Sequence, residues 1–250
     1  MDVDRRTFLE TCAVALPALA SQSTQTQKTY IYASESWSTS IDQSPFVIGF
    51  LITRQPGVHI AAIGEIKRRL RYTKVLTHHG NDRYKLGCVR ELMQYFAGAS
   101  DLRFAASIVT AAKHDALRPP SVRVGAYPAL FQSAQLPPGA ILRVRRRAAG
   151  WGPPAKRVNG QSEYAARIKA LQTNGLIARG EEIALHANDG LVELSSVLNG
   201  TLFRAKLSPT IYSDAPMRVA MATRIQSLLN LDSIEGQRAG KWEPMVVTVG

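Results

Sequence analysis

A chain of 250 residues, 45% hydrophobic and 20% charged, has room for one domain with a sizeable core and not for two large ones. Thirty-one Lys and Arg against 19 Asp and Glu leave a net charge of +12, which favours a polyanionic partner, such as nucleic acid or an anionic membrane surface. Its two cysteines, Cys12 and Cys88, are too few for a disulfide framework; a mature chain without the first twenty residues would keep Cys88 alone, with no partner for a disulfide or a thiolate metal site.

In chain order, residues 1–20 carry Arg5-Arg6, an apolar stretch too short to cross a bilayer, and the small residues Ala18-Leu19-Ala20. This segment resembles a twin-arginine export signal, although Asp4 and Glu10 stand where Ser or Thr and Lys are usual. Cleavage after Ala20 would make the protein periplasmic or extracellular, with no transmembrane segment in the mature chain; the alternative is a cytoplasmic protein with an N-terminal amphipathic helix. Residues 21–28 read as a polar tether.

The domain is expected over 29–236. "TYIYAS" and "PFVIGFLITR" read as strands, the second apolar on both faces. "GVHIAAIGEIKRRLR" and "RYKLGCVRELMQYFAG" carry apolar residues at helical spacing, with Cys88 on the inner face of the second, and "LRFAASIVTA" reads as a third strand. From 114 to 160 the prolines and glycines predict a loop-rich insertion with no long helix. That span holds the densest basic cluster, Arg143, Arg145, Arg146, Arg147, Lys156 and Arg157 around Trp151. Guanidinium groups beside an aromatic ring suit single-stranded nucleic acid, where phosphates pair and bases stack; the alternative is a solvated loop. "SEYAARIKALQTNGLIARG" predicts a helix, "EEIALHAN" a strand, Asp189-Gly190 a turn, "LVELSSVLNGTLFRA" a helix, "SPTIYS" a strand and "PMRVAMATRIQSLLNL" a helix. Residues 237–250 read as a C-terminal tail. Strands followed by alternating strand and helix imply an α/β domain with a mixed sheet.

The span from Tyr30 to Lys113 resembles the RNase-H-like family catalogued as "domain of unknown function 3800". Ser34-Glu35-Ser36 matches the Asp-Glu-Ser that ends its first strand except at the Asp, and "RLRYTKVL" resembles its Glu-Leu-Lys-Trp-Ser-Lys-Val pattern. "SDAPMRVAMATRI" is similar to the start of its last helix. The resemblance implies an RNase-H-like mixed sheet flanked by helices, and carboxylates converging on Mg²⁺ or Mn²⁺ that activate water and stabilise the leaving oxygen. It also implies that the expected acids are missing at Ser34, Arg69 and Met221. Neutral, cationic and apolar side chains supply no replacement charge for a hard cation.

Three readings follow. The first is a degenerate, catalytically impaired domain that binds nucleic acid or another polyanion through a basic surface, with no cofactor expected; Arg71 and Lys74 join the basic cluster in that surface. The second is an active Mg- or Mn-dependent nuclease using Glu35, Asp189 and Asp214, with Glu35 and Asp189 as metal ligands. The third is an exported binding or scaffold protein with no nucleic-acid role. Glu35 has a plainer alternative, as a cap or as the partner of an Arg. His78-His79 and His186 lack ligand spacing, and neither a nucleophile elbow nor a glycine-rich phosphate loop is present.

Overall fold

The computed structural model describes residues 28–36, 45–76, 83–111, 120–145, 163–183, 189–206 and 215–249. The strands are β1 (Tyr30–Ser36), β2 (Phe46–Thr53), β3 (Arg103–Ala111), β4 (Ala140–Arg145), β5 (Ile177–Ile183) and β6 (Trp242–Val249). The helices are α1 (Pro56–Arg69), α2 (Arg83–Gly98), α3 (Pro120–Ser133), α4 (Glu163–Thr173), α5 (Gly190–Lys206) and α6 (Ala215–Leu229). The strands form one six-stranded sheet in the order β5-β4-β1-β2-β3-β6. The β1–β2 and β2–β3 pairs are antiparallel, and β1–β4, β4–β5 and β3–β6 are parallel. This is an α/β mixed sheet flanked by helices, consistent with the RNase-H-like arrangement expected from sequence, with β6 added outside β3.

Each face of the sheet buries its own core, because successive side chains of a strand point to opposite sides. Tyr32, Val47, Leu51 and Phe104 pack with α1, α2, α5 and α6, where Cys88 is fully buried. Ile31, Ala33, Ile48 and Phe50 pack with Tyr127, Leu130 and Phe131 of α3 and Leu171 of α4. All eight residues of β2 are buried, as befits a strand covered on both faces. Gly49 is needed there: a Cβ would lie 2.7 Å from Phe104 and 2.8 Å from Asn199 Oδ1.

Four helices end in the same hydrogen-bonded stop. Tyr72 N donates to Lys67 O (2.8 Å), Leu136 N to Phe131 O (3.1 Å), Leu176 N to Leu171 O (3.0 Å) and Leu231 N to Gln226 O (2.9 Å). The preceding residue is left-handed in each case: Arg71 (φ 52°), Gln135 (φ 50°), Gly175 (φ 68°) and Asn230 (φ 55°). This is the Schellman stop, completed by an apolar residue that folds back on the helix.

Three expectations need correction. The loop-rich span 114–160 contains α3 and β4; burial of Tyr127, Leu130 and Phe131 outweighs the penalty of Pro128 inside the helix, and β4 lies beside β1 within the sheet. The helix expected over 162–180 stops at Thr173, because Asn174-Gly175 ends it and Ile177 begins β5. The expected tail supplies β6, where fully buried Trp242 stacks on Phe104 at 4.8 Å and donates from Nε1 to Ile234 O (2.9 Å). Residues 1–27 and the expected strand at 208–213 lie outside the described residues. Among the described residues no helix is long and apolar enough to cross a membrane.

Candidate nucleic-acid interface

Parallel pairing brings the carboxyl ends of β1, β4 and β5 to one rim of the sheet: Val144 lies opposite Ala33, and Ile183 opposite Arg145. The chain returns to that rim at Asp189 to begin α5. Crevices at the carboxyl ends of parallel strands are where open α/β sheets place ligands.

Ser34 is 3% exposed, and its Oγ shares a hydrogen bond with Ser195 Oγ of α5 at 2.9 Å. Two residues on, Ser36 Oγ accepts from Asn199 Nδ2 (3.0 Å), which also reaches Val47 O (3.3 Å). The β1–α5 seam is thus closed by neutral hydrogen bonds.

Glu35 points to the other face. Its Oε1 accepts from Tyr127 Oη (2.8 Å) and pairs with Arg167 Nη1, whose guanidinium carbon lies 4.7 Å from the Tyr127 ring centroid. The side chains of Arg167 and Glu35 are 2% and 5% exposed, so this pair belongs to the interior. The plainer alternative for Glu35, partner of an Arg, is the arrangement present.

Asp189 caps α5: its Oδ1 accepts from Leu191 N and Val192 N, both at 3.1 Å. Its Oδ2 lies 3.4 Å from Arg143 Nη1, while Arg143 Nε lies 3.4 Å from Glu181 Oε2. The Arg143 guanidinium also sits 5.9 Å from the Tyr32 ring. Burial, helped by the Asp189 charge, pushes the Tyr32 hydroxyl up to about 12.

Glu193, in the first turn of α5, is fully buried and takes Lys67 Nζ at 2.8 and 3.1 Å and Leu76 N at 3.0 Å. This clamp fastens the end of α1 and the segment after it to the start of α5, at the same rim. Burial pushes the neighbouring Cys88 thiol up to about 11.

Glu35, Glu181, Asp189 and Glu193 therefore each face a base: Arg167, Arg143 or Lys67. Among the described residues no three acids, histidines or cysteines group in a way that could hold a metal ion. Glu35 and Asp189 are not brought together, since they lie on opposite faces of the sheet, and Asp214 lies outside the described residues. These four donors do not fit Mg²⁺ or Mn²⁺, because each already faces a cationic side chain. Arg69 is exposed and pairs with Glu91 of α2 at 2.7 Å, while Met221 is a partly buried contact of the larger core.

Of the basic residues, Arg143 is half-buried at the rim, Arg145 ends β4, and Arg71 and Lys74 are exposed just after α1. Arg146, Arg147, Trp151, Lys156 and Arg157 lie outside the described residues, as do His78, His79 and His186. Comparison of the chain with family models, with curated proteins and with solved structures finds no match in any of the three.

Sequence reasoning missed Lys67, Tyr127, Arg167 and Glu193. Three of them carried a signal: Lys67 falls four residues after Ile63, Arg167 four before Leu171, and Glu193 four before Val197, each a buried helical position. A charge on an apolar helix face predicts a buried partner. A separate cluster lies where α1 begins: His59 Nδ1 meets Tyr95 Oη (2.7 Å) and Nε2 meets Asp101 Oδ2 (3.1 Å). Burial raises the Asp101 carboxyl, but hydrogen bonds from Thr53, His59 and the backbone of Arg54 and Gln55 outweigh it and hold the carboxyl below its usual range. This cluster latches α1 to β2 and α2.

Proposed function

We propose that this chain is a degenerate RNase-H-like domain that binds nucleic acid through a cationic rim and does not cleave it. The observation that carries the reading is the pairing of Glu35, Glu181, Asp189 and Glu193 with Arg167, Arg143 and Lys67, beside a buried, neutral Ser34. Metal-assisted hydrolysis needs several anionic oxygens free to share a cation. Phosphate binding needs the opposite, an excess of cations; β4 carries Arg143 and ends at Arg145, and Arg146 and Arg147 follow it in the sequence. Guanidinium groups pair with phosphate oxygens in a forked geometry, and Trp151 within the same run offers a face for base stacking.

The test is fluorescence anisotropy with labelled single-stranded DNA and RNA over a salt series. Each phosphate contact to a single strand contributes about 0.7 to the slope of log K against log salt. Arg145→Gln, Arg146→Gln and Arg147→Gln together should lower the slope by up to about 2 and weaken binding more than tenfold at about 0.1 M salt. A parent protein that binds neither strand at 50 mM salt, or that cleaves either with Mg²⁺ or Mn²⁺, overturns the proposal.

A further inference from the structure

We infer that the turn closing α1, from Arg71 to Lys74, is a second phosphate-contacting element of this rim, gripping the backbone of a single-stranded nucleic acid. The inference rests on the proposed nucleic-acid reading and adds a contact on a different element.

Its first support is electrostatic. The three cations of the last turn of α1 have their own carboxylates: Lys67 with Glu193 (2.8 Å), Arg68 with Glu65 (2.8 Å) and Arg69 with Glu91 (2.7 Å). They already complement the negative end of the helix. Arg71 and Lys74 lie beyond that end, are exposed, and have no carboxylate within ion-pair distance among the described residues.

The second support is position. Glu193 binds both Lys67 Nζ and Leu76 N, so the turn between them is fixed at both ends to the first turn of α5. That turn of α5 begins at Asp189, which faces Arg143. The turn that carries the exposed cations is thus tied, through the buried Lys67–Glu193 clamp and the start of α5, to Arg143 of β4.

The third is conformational. Arg71 occupies the left-handed position of a Schellman stop, where glycine is favoured because a Cβ crowds the following carbonyl. The same position holds Gln135 after α3, on the other face of the sheet, which provides an internal control. An exposed arginine held in this fixed position, with no carboxylate in ion-pair distance among the described residues, is available for a contact outside the chain. Phosphate suits it better than a lipid surface: the large exposed hydrophobics among the described residues, Val58, Ile60 and Val246, lie at the first turn of α1 and on the edge strand β6, not at this turn.

The experiment compares Arg71→Gly, Lys74→Gln and Gln135→Gly in the full chain, using a labelled oligothymidine of roughly 20 nucleotides. Loss of one phosphate contact at about 0.1 M salt corresponds to about a fivefold loss of affinity and a slope smaller by about 0.7. Arg71→Gly and Lys74→Gln should each show that loss, Gln135→Gly should show none, and neither glycine variant should lower Tm. If Arg71→Gly and Lys74→Gln bind like the parent while the Arg145, Arg146 and Arg147 variant is weakened, this inference fails and the proposed function stands. A parent that binds no oligonucleotide overturns both. Binding to vesicles of phosphatidylcholine and phosphatidylserine, lost in Arg71→Gly, with no binding to oligothymidine, assigns the turn to a membrane and overturns the inference. A lower Tm for Arg71→Gly but not for Gln135→Gly makes Arg71 structural and also overturns it.

Discussion

Replacing Lys67 by Met tests whether the clamp at the rim is as dry as its geometry implies. The Lys67 and Glu193 side chains are 8% and 0% exposed, with Nζ 2.8 and 3.1 Å from the two carboxylate oxygens. Without Lys67 the carboxylate keeps the bond from Leu76 N and loses its counter-charge. Removing one partner of a buried pair costs about 3–5 kcal/mol, because a charge stays buried without compensation. At about 2–4 °C per kcal/mol for a domain of this size, Tm should fall by roughly 6–20 °C. The double variant Lys67→Met, Glu193→Gln removes both charges and leaves an amide carbonyl to accept from Leu76 N, so it should recover most of the loss. Urea unfolding of the parent, the two single variants and the double variant gives the coupling energy, expected at about 2 kcal/mol or more. Exposed Arg68–Glu65, at 77% and 57% exposure, is the contrast: its loss should cost less than about 0.5 kcal/mol and fade with salt. A Lys67→Met variant within about 1 kcal/mol of the parent, or effects that simply add, would refute the argument.

Two further predictions concern charge. Ser34→Asp should destabilise the protein by several kcal/mol, since Ser34 is 3% exposed and its hydroxyl meets the neutral Ser195 hydroxyl, with no base hydrogen-bonded to it among the described residues. Its melting temperature should not rise with Mn²⁺, because Glu35 points to the opposite face; a metal-dependent rise would show that a cation site can be rebuilt there. Lys241 is held down to about 8, first by burial and then by Arg238, with Asp101 opposing. The unfolded lysine, near 10.5, holds its proton more tightly than the folded one, so the penalty is complete below pH 8 and is relieved as pH rises to 10.5. Because Lys241 is only half-buried, solvent screens much of this, so stability should increase over that window by about 1–2 kcal/mol, and Lys241→Met should flatten the rise in urea titrations at pH 7.5 and 10. An unchanged slope in the variant would assign the pH dependence elsewhere.

The elements that sequence reading placed well are those whose own residues decide them. The apolar run of β2 from Phe46 to Ile52, the spaced apolar face of α2 and the Asp189-Gly190 start of α5 each carry local signals that the packing reinforces. Errors arose where a tertiary surface overrode a local breaker. Pro128 speaks against α3, yet Tyr127, Leu130 and Phe131 bury a continuous face against the sheet, so the helix forms around it. The edge strand β6 carries Pro244 and only a short apolar run, and its strand character comes from pairing along β3, which lies more than a hundred residues earlier. Asn174-Gly175 was legible as a stop, because it has the glycine and following leucine of the motif that ends α4.

The candidate site was less legible because its chemistry lies in pairs far apart in the chain. Glu35 meets Arg167 across 132 residues and Lys67 meets Glu193 across 126, so listing acids cannot reveal which of them remain free to bind a cation. One part was readable. Side chains of a strand alternate, so Ser34 and Glu35 cannot serve the same face, and a carboxylate at one is no substitute for a carboxylate at the other. If an acid was once held at position 34, its replacement by Ser would leave the Glu35, Tyr127 and Arg167 cluster untouched, since that cluster tethers β1 to α3 and α4 on the opposite face. The presence of Glu35 is then accounted for by the stability of the fold.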